Sequence, residues 1–481
     1  MMSKKFILAN SIAIAVFSLS GCAVGPDYVR PASITAADMP ASFKEDWKTA
    51  QPQDQAIPVQ WWTLFNDPNL NALIDQVASS NLSLAQAQAN YRAAGALVDN
   101  AKAAYFPSLS ADVSHTRNRS PETGVNTVNS AGLSASWEVD LWGGVRRAVE
   151  VQENAALSSF ANVQALRLSM QSQLAQSYFQ LRVLDAQKQL LDRTVEEYQR
   201  SLKLTQNQYK SGIVATDSVL LAETQLQSTQ AQALDVGVLR AQYEHAIATL
   251  IGKPASLFAI PAIPAGQTAY LPDMPEVPVA VPSSLLERRP DVAAAERSVA
   301  AANAQIGVTK AAFFPDLTLG ASGGYQSSSL AKWISLPNRI WSVGPALAAS
   351  LFDGGAHNAL NRQAIAAYDA SVAGYRLTVL TAFQNVEDNL AALRILKQEA
   401  AVQNAASTAA RKALEVTMNQ YRAGTVNYLN VVAAQSTALT NQRAELTITN
   451  ARLVATVQLI AALGGGWNGL QNTSHDERLP S

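Results

Sequence analysis

Cysteine and charge are both scarce in this sequence. The 481 residues include one cysteine and 15% charged residues, and the formal net charge is −1. A single cysteine excludes an internal disulfide, and a balanced charge gives no basic surface that would attract nucleic acid. The four histidines, at positions 115, 245, 357 and 475, show no metal-ligand spacing. We therefore expect no nucleic-acid partner, no metal and no cofactor.

Catalytic motifs are missing as well. "GASGG" at 320–324 has the spacing of a nucleophile elbow, but it falls in an alternating pattern and not in the strand-to-helix turn that this motif needs. "GGGWNG" at 464–469 has the spacing of a dinucleotide-binding loop, but it follows a helical pattern and opens no strand–helix–strand unit. The sequence therefore predicts a protein that is not an enzyme.

Residues 1–21 are predicted to be a lipoprotein signal peptide. Lys4 and Lys5 precede a short apolar run at 6–19 that is too short for a comfortable bilayer span. The run ends in "LSGC", which resembles a bacterial lipoprotein signal with Cys22 as the acylated first residue of the mature chain. The residue after Cys22 is Ala23 and not an aspartate, and by that resemblance the protein is sorted to the outer membrane. The alternative is an ordinary export signal with an incidental cysteine.

The chain contains two copies of one structural unit. "KAAYFPSLS" at 102–110 returns as "KAAFFPDLT" at 310–318, and "YKSG" at 209–212 returns as "YRAG" at 421–424. The stretches that begin with these last two motifs align without a gap for more than forty residues. Landmarks in the same order and at the same spacing indicate an internal duplication.

The hydrophobic period changes in the same order in both copies. A helical pattern at about 68–105, and again at about 283–313, leads to a Phe-Pro pair. Alternation of apolar with small or polar residues follows and is clearest at 131–141. Such alternation is typical of a strand with one apolar face. We expect one β-hairpin in each copy, at 107–141 and at 315–351.

Two very long helices follow these hairpins, at 143–208 and 356–423. In the first, steps of three and four from Leu181 to Tyr209 meet apolar residues everywhere except at Lys188 and Thr205, which is a heptad seam. The helices end in turns that contain the two equivalent glycines, and partner helices then return. Glycine suits the left-handed backbone of a helix stop. The sequence therefore predicts two antiparallel coiled-coil hairpins with Gly212 and Gly424 at their turns.

These patterns divide the chain into successive segments, joined by a proline-rich linker between the repeats. In order they are a signal peptide (1–21), a lipidated N-terminal arm (22–67), repeat one (68–255, with its tip near 209–217), the linker (256–282), repeat two (283–466, with its tip near 421–430) and a C-terminal tail (467–481).

Four strands per chain are too few to close a barrel. Even small closed barrels need about eight strands, and lipid does not tolerate an open sheet edge. We therefore expect several copies to donate strands to one barrel. The long helical hairpins, which carry little charge, would then pack side by side into a hollow tube.

The chain resembles the outer membrane efflux protein family, or TolC-type channels, and within it the lipidated NodT-like subunits of RND multidrug efflux pumps. The resemblance covers nearly the whole mature chain. It rests on these motifs together: "LSGCAVGPDYVRP" (19–31), "WWTLFNDPNLNALI" (61–74), "SWEVDLWGGVRR" (136–147), "LLERRPDVAAAERSVAAANAQIG" (285–307), "KAAFFPDLTL" (310–319), "SLFDGG" (350–355) and "YRAGTVNYLNVVAAQ" (421–435).

The resemblance implies an α+β membrane protein that acts as a homotrimer. Its twelve-stranded β-barrel, with four strands per chain, would sit in the outer membrane of a Gram-negative bacterium and continue into a long periplasmic α-helical barrel. The implied partners are a periplasmic adaptor protein and an inner membrane RND-type transporter. The implied function is a passive exit duct for small molecules such as drugs.

Two other functions compete with this one. The same fold serves as the outer membrane channel of type I protein secretion systems, and the lipoprotein signal favours the efflux duct without excluding secretion. A lipid-anchored coiled-coil protein without a channel is the second competitor. It predicts no membrane-spanning strands, so the alternation at 131–141 argues against it.

The resemblance also implies a gate at the periplasmic tip of the hairpins. Acidic positions of the family in the helix after the second tip fall on Asn430 and Ala433, which are uncharged, so an acidic gate ring is not expected. The family's tip tyrosine falls on Tyr421. Closure is instead predicted to use hydrogen bonds and packing from Tyr421, Asn427, Tyr428 and Asn430.

Three of the tip residues also have a purely structural interpretation. Tyr421 would then only pack in the helix seam, and Gly424 would only turn the chain. In repeat one, Asp217 would either act at the tip or cap the return helix.

Overall fold

The computed structural model describes residues 23–32, 57–122, 124–263, 272, 274, 275, 277, 289–467 and 469. Cys22 and the predicted signal peptide lie outside the described residues. So do most of the predicted C-terminal tail and parts of the N-terminal arm and of the linker.

Helices dominate the described residues. Two of them contain 67 residues each, which corresponds to a length of about 100 Å. Among the described residues, none of the helices combines the length and the apolar character needed to cross a bilayer. The helices are α1 (Pro68–Ser80), α2 (Leu82–Ala103), α3 (Gly144–Lys210), α4 (Thr216–Leu250), α5 (Pro290–Ala311), α6 (Ala356–Arg422) and α7 (Tyr428–Ala462).

The single helix predicted at about 68–105 is wrong, because the structure has two helices there. Asn81 lies between α1 and α2 with an extended backbone. Its side-chain oxygen accepts a hydrogen bond from the Leu84 N–H (2.9 Å), and its amide donates to the Leu250 carbonyl (2.8 Å). A short amide side chain that bonds to nearby backbone favours a helix start over a helix interior.

The strands form one antiparallel sheet in chain order. They are β1 (Ser108–Ser120), β2 (Gly124–Val139), β3 (Asp316–Ser327) and β4 (Arg339–Ala348). β1 pairs with β2 and β3 with β4, while β2 pairs with β3 to join the two repeats. The prediction of two strands per repeat is therefore confirmed. Among the described residues, β1 and β4 are the edge strands, each paired on one side only.

The sheet has one apolar and one polar face. Residues in register share a face, and the pairs Ala111–Leu133 and Ala321–Val343 place the odd-numbered residues together. Leu109, Val113, Trp341 and Val343 on that face are each about 70% exposed in the single chain. The even-numbered face carries serines that bond across the strands, as Ser110 and Ser134 do at 2.8 Å between their hydroxyl oxygens. One chain therefore leaves a wide apolar surface uncovered.

The long helices form two antiparallel hairpins, α3 with α4 and α6 with α7, and α3 also packs against α7. The predicted heptad seam is largely buried: Leu181, Leu191 and Tyr198 are at most 2% exposed, and the polar member Thr205 is fully buried. The main hydrophobic core lies midway along α3 and α6, where they meet α1, α5 and the C-terminal ends of α4 and α7.

A buried ionic network holds the first hairpin to the chain that leaves it. Asp185, only 4% exposed, accepts hydrogen bonds from Arg240 Nε (2.7 Å) and Arg182 Nη1 (3.2 Å). Arg240 also donates to the Ile260 carbonyl at 2.7 Å. Loss of Asp185 would leave the largely buried Arg182 without its carboxylate and Arg240 with only the longer pair to Glu244, at 3.3 Å.

We expect Asp185→Ala to destabilise the chain by about 3 kcal/mol, because it leaves two arginines without their shared carboxylate. Asp192→Ala on the same helix is the matched control. The pair that Asp192 forms with Lys188 is about half exposed, and its loss should cost about 0.5 kcal/mol or less. The melting temperature of the detergent-solubilised protein measures both. Equal shifts for the two variants would contradict the prediction.

Candidate functional site at the tips of the helical hairpins

Both long helices end in the same turn. At the first tip, Gly212 has φ of 73°, and its N–H donates to the Tyr209 carbonyl at 2.9 Å. The N–H of Ile213 donates to the Gln208 carbonyl at 2.9 Å, which completes a Schellman motif. The second tip repeats both bonds at 3.0 Å around Gly424, with φ of 75°. No heavy atom would lie within 4 Å of a Cβ at either glycine, so glycine is required here for its backbone conformation and not for space.

The two return helices begin differently. Asn427 is the N-cap of α7, and its side-chain oxygen accepts the N–H of Asn430 at 3.3 Å. The N-cap of α4 is Ala215, which has no side chain to donate or accept. Asp217 is therefore not the capping residue. It lies exposed in the first turn, where its carboxylate accepts a hydrogen bond from the Ser218 N–H at 2.6 Å. Its negative charge also interacts favourably with the positive end of the helix dipole.

Two tyrosines of the second tip fasten it to the first hairpin. The Tyr421 hydroxyl lies 3.0 Å from Thr205 Oγ1, and the Tyr428 hydroxyl lies 3.2 Å from Ser201 Oγ. Because Thr205 Oγ1 donates to the Ser201 carbonyl, it is the acceptor for Tyr421. The two rings meet edge to face, with centroids 5.3 Å apart. Such aromatic pairs and hydroxyl bonds specify the position of one hairpin against the other.

These phenols act as neutral groups. Burial raises the pKa of Tyr421. Burial likewise raises the pKa of Tyr428. Both rings pack with Ala222 and Val431 in one buried cluster. The contact between the hairpins therefore combines neutral hydrogen bonds with apolar packing, and no ion pair joins the two tips among the residues that the structure describes.

The predicted tip residues separate into two groups. Tyr421 and Tyr428 are each 2% exposed and contact α3 of their own chain, so they do not share the exposed surface of the asparagines. Asn427, Asn430 and Asp217 are exposed. The exposed group is accessible to other molecules, while the buried pair positions the turn.

Ser201 and Thr205 were missed by sequence reasoning. Both are among the most buried polar residues, at 4% and 0% exposure. Thr205 did carry a signal, since it is one of the two polar members of an otherwise apolar seam. A polar residue at such a position needs a hydrogen-bond partner, and here that partner is Tyr421. Ser201 lies off the seam and carried no such signal.

A groove of about 660 Å³ lies beside the tyrosine cluster, between α3, α6 and α7. Its lining carries both signs of charge, and the Oε1 atom of Gln435 on its wall is buried without a hydrogen-bond partner among the described residues. A groove of this chemistry suits a polar partner that offers donors. The charged lining residues are Glu197, Arg200, Arg411, Glu415 and Arg422.

Comparison with known proteins places these features in a family. The model of the outer membrane efflux protein family matches residues 73–253 and 281–465, more than half of the chain. The chain is 31% identical over 468 residues to the probable efflux pump outer membrane protein TtgC of Pseudomonas putida, covering 95% of each. It is 31% identical over 471 residues to nodulation protein T of Rhizobium leguminosarum bv. trifolii, covering 94% of this chain and 96% of that protein.

Solved structures agree with this assignment. The outer-membrane channel OprN superposes with a TM-score of 0.84 at 29% sequence identity. The superposition covers 93% of this chain and 100% of that chain. The fold described above is therefore that of known outer-membrane channels.

The turn conformation leads to a first prediction for the tip. Gly424→Ala should destabilise the protein by about 1 kcal/mol, because alanine is strained at positive φ, and Gly424→Asn should cost less. Gly374→Ala is the matched control within α6, where open space and a helical backbone make alanine neutral or stabilising. Thermal melts followed by circular dichroism measure all three. Equal melting temperatures for the two alanine variants would contradict a requirement for glycine at this turn.

Proposed function

Since this chain belongs to the outer membrane efflux protein family, we propose that it is the passive outer membrane exit duct of a tripartite efflux pump. Relatives named for antibiotic and for toluene efflux share 31% of their residues with it over 95% of its length. They support small molecules such as drugs as the cargo. The duct itself supplies no energy, so an inner membrane transporter of the RND type and a periplasmic adaptor act as partners.

The observation that carries the proposal is the four-stranded sheet. Its odd-numbered face is apolar and uncovered, its even-numbered face is polar, and β1 and β4 remain edge strands. This is the pattern of a barrel wall with lipid on one side and water on the other. Since an open edge is not tolerated in lipid, further copies must pair with both edges.

The number of copies follows from the width of the bore. Two chains would give eight strands, and barrels of about eight strands have interiors that side chains fill. Three chains give twelve strands, an even number within the range of outer membrane barrels. We therefore favour a homotrimer, as the family resemblance also implies. The hairpins of three chains would then enclose a helical tube that continues the bore into the periplasm.

The segment after Cys22 supports a lipid anchor at that cysteine. The Val24 N–H donates to the Trp142 carbonyl at 2.9 Å. Ala23 lies so close to Gly143 that a Cβ added to Gly143 would be 2.9 Å from the Cα of Ala23. These contacts lie between the end of β2 and the start of α3, at the rim of the sheet that faces the helices. Acyl chains on Cys22 would enter lipid beside the barrel, at about 0.8 kcal/mol for each buried methylene.

The tip is the proposed gate. The bonds of Tyr421 and Tyr428 to α3 hold the two hairpins of each chain together, and the exposed Asn427, Asn430 and Asp217 narrow the opening from three sides. Docking of an adaptor at the neighbouring charged groove would favour the open arrangement by binding it more tightly. Closure by neutral bonds of about 1 kcal/mol each is compatible with such reversible opening.

Charge on one face of the sheet tests the duct. In a strain that lacks the protein, the wild-type gene should restore low accumulation of dyes and antibiotics, and Val343→Lys should not. A lysine there meets lipid at the middle of β4 and costs about 2–4 kcal/mol. Ser342→Lys changes the preceding residue, which lies on the polar face. It is the matched control and should retain export.

The same strains separate the efflux duct from a secretion channel. Secreted protein levels should be the same with and without the gene. Lost protein secretion with unchanged accumulation of small molecules would overturn the proposal in favour of type I secretion.

Removal of the tip hydroxyls tests the gate. Tyr421→Phe keeps the ring but removes one bond per chain, and if three chains open together the loss is about 3 kcal/mol, or roughly a hundredfold in the ratio of open to closed channels. Tyr428→Phe should act in the same direction. Conductance of single channels in planar bilayers measures the ratio, with Tyr243→Phe, on α4 away from the tip, as control. An unchanged open fraction in both tip variants would refute the gate.

A further inference from the structure

The first tip is exposed where the second is buried. Tyr209 and Tyr421 occupy the same position of the same turn, and the carbonyl of each accepts the N–H of the glycine that ends its helix. Tyr421 is 2% exposed, whereas Tyr209 is 47% exposed. The difference lies in what covers them, because α3 covers Tyr421 and nothing among the described residues covers Tyr209 in the same way.

The order of the helices explains this difference. α3 packs against α4 and α7, α4 makes a smaller contact with α7, and α7 packs against α6. Since α4 and α6 do not pack against each other within the described residues, they lie at the two ends of the row. Their outer faces correspond to the edges β1 and β4 of the sheet, and they meet only when copies of the chain stand side by side. A second copy is therefore the occupant that the geometry offers to the first tip.

The internal duplication identifies the residues of that contact. Thr205 lies four residues before Tyr209, and Thr417 lies four residues before Tyr421, so the two threonines are equivalent. Inside the chain, Thr205 of repeat one bonds to Tyr421 of repeat two at 3.0 Å. If the two repeats exchange roles, Thr417 of repeat two pairs with Tyr209 of repeat one. That Tyr209 belongs to the neighbouring copy of the chain.

The apolar surroundings of the contact are repeated as well. In the chain, partly buried Leu202 and Leu204 pack against the tyrosine cluster. Their equivalents in α6 are Leu414 and Val416, and Val416 is 48% exposed in the single chain. α6 therefore carries apolar residues at the positions equivalent to those on α3 that pack against the second tip.

One feature of the cluster is not repeated. The second hydrogen bond of the buried tip joins Tyr428 to Ser201, and the equivalent residues are Thr216 and Ala413. Ala413 has no hydroxyl, and Thr216 is too short to replace a phenol. The Tyr209–Thr417 pair is therefore the one tyrosine–hydroxyl bond that the duplication carries over between copies.

Resting on the proposed trimeric duct, we infer that Tyr209 of each chain packs on α6 of the next copy, with its hydroxyl bonded to Thr417. The closed tip is then a ring in which contacts within a chain alternate with equivalent contacts between chains. The exposed outer faces of α4 and α6 are the two halves of this joint.

Cysteine pairs test the inference in the membrane-embedded protein. A tyrosine–threonine pair bonded through its hydroxyls holds its Cβ atoms farther apart than the about 4 Å of a disulfide, so a short bismaleimide is the crosslinker. Chains that carry Tyr209→Cys and Thr417→Cys together should form covalent dimers and trimers on a denaturing gel. The matched pair Thr205→Cys and Tyr421→Cys should react within one chain and run as a monomer.

The remaining outcomes separate this inference from the proposed trimer. Native mass measures assembly before crosslinking, and a monomeric wild-type protein overturns both. A trimer without covalent dimers in the 209/417 pair overturns the inference alone, as does equal crosslinking in either single-cysteine variant. A benzoyl-phenylalanine photocrosslinker at position 209 keeps an aromatic ring there, and it should attach to the peptide that contains Thr417. Attachment elsewhere in a native trimer overturns the pairing.

Discussion

The unpaired edges of the four-stranded sheet are the constraint on which the rest of the structure depends. Backbone groups on the outer sides of β1 and β4 have no strand partner within the described residues of one chain, and lipid offers them none. The apolar face adds a second demand, because residues such as Leu109 and Trp341 stay about 70% exposed until lipid covers them. Neither demand can be met by refolding a single chain, so membrane and neighbouring copies complete the fold. The long helices are subject to the same arrangement of copies, since in each repeat a long helix follows the pair of strands.

The helices meet the same problem with different chemistry. A row of helices α4, α3, α7 and α6 has two end faces, just as the sheet has two edges. In water an end face is less costly than in lipid, because its polar groups remain hydrated. The joint between helices can therefore be weak and reversible where the joint between strands cannot. This difference suits the proposed gate, in which the barrel stays sealed while the tip opens.

Period and glycine placement predict much of this fold from the sequence. Alternation at 131–141 indicates strands because nothing else places every second residue on one face, and Gly212 and Gly424 mark helix ends because both are held at positive φ. The break at Asn81 was missed, since an asparagine within a helical pattern reveals its capping role only when its Leu250 partner is known. The burial of Tyr421 depends on the register of one hairpin against another. Equal motifs at 209 and 421 therefore have different surroundings, which no local pattern records.

The tip contacts also determine how closure responds to pH. A carboxylate ring would couple the gate to protons and cations, but positions 430 and 433 carry an asparagine and an alanine. The bonds that remain join phenols to hydroxyls, and burial raises the pKa of both phenols. A group whose pKa is raised in the folded state loses stabilisation only as pH rises above its ordinary value, here about 10. Below that value Tyr421 and Tyr428 stay protonated whether the tip is closed or open. The contribution of these two tyrosine bonds to closure should therefore be insensitive to pH between 5 and 9, and in the proposed gate opening comes from a partner that binds the tip.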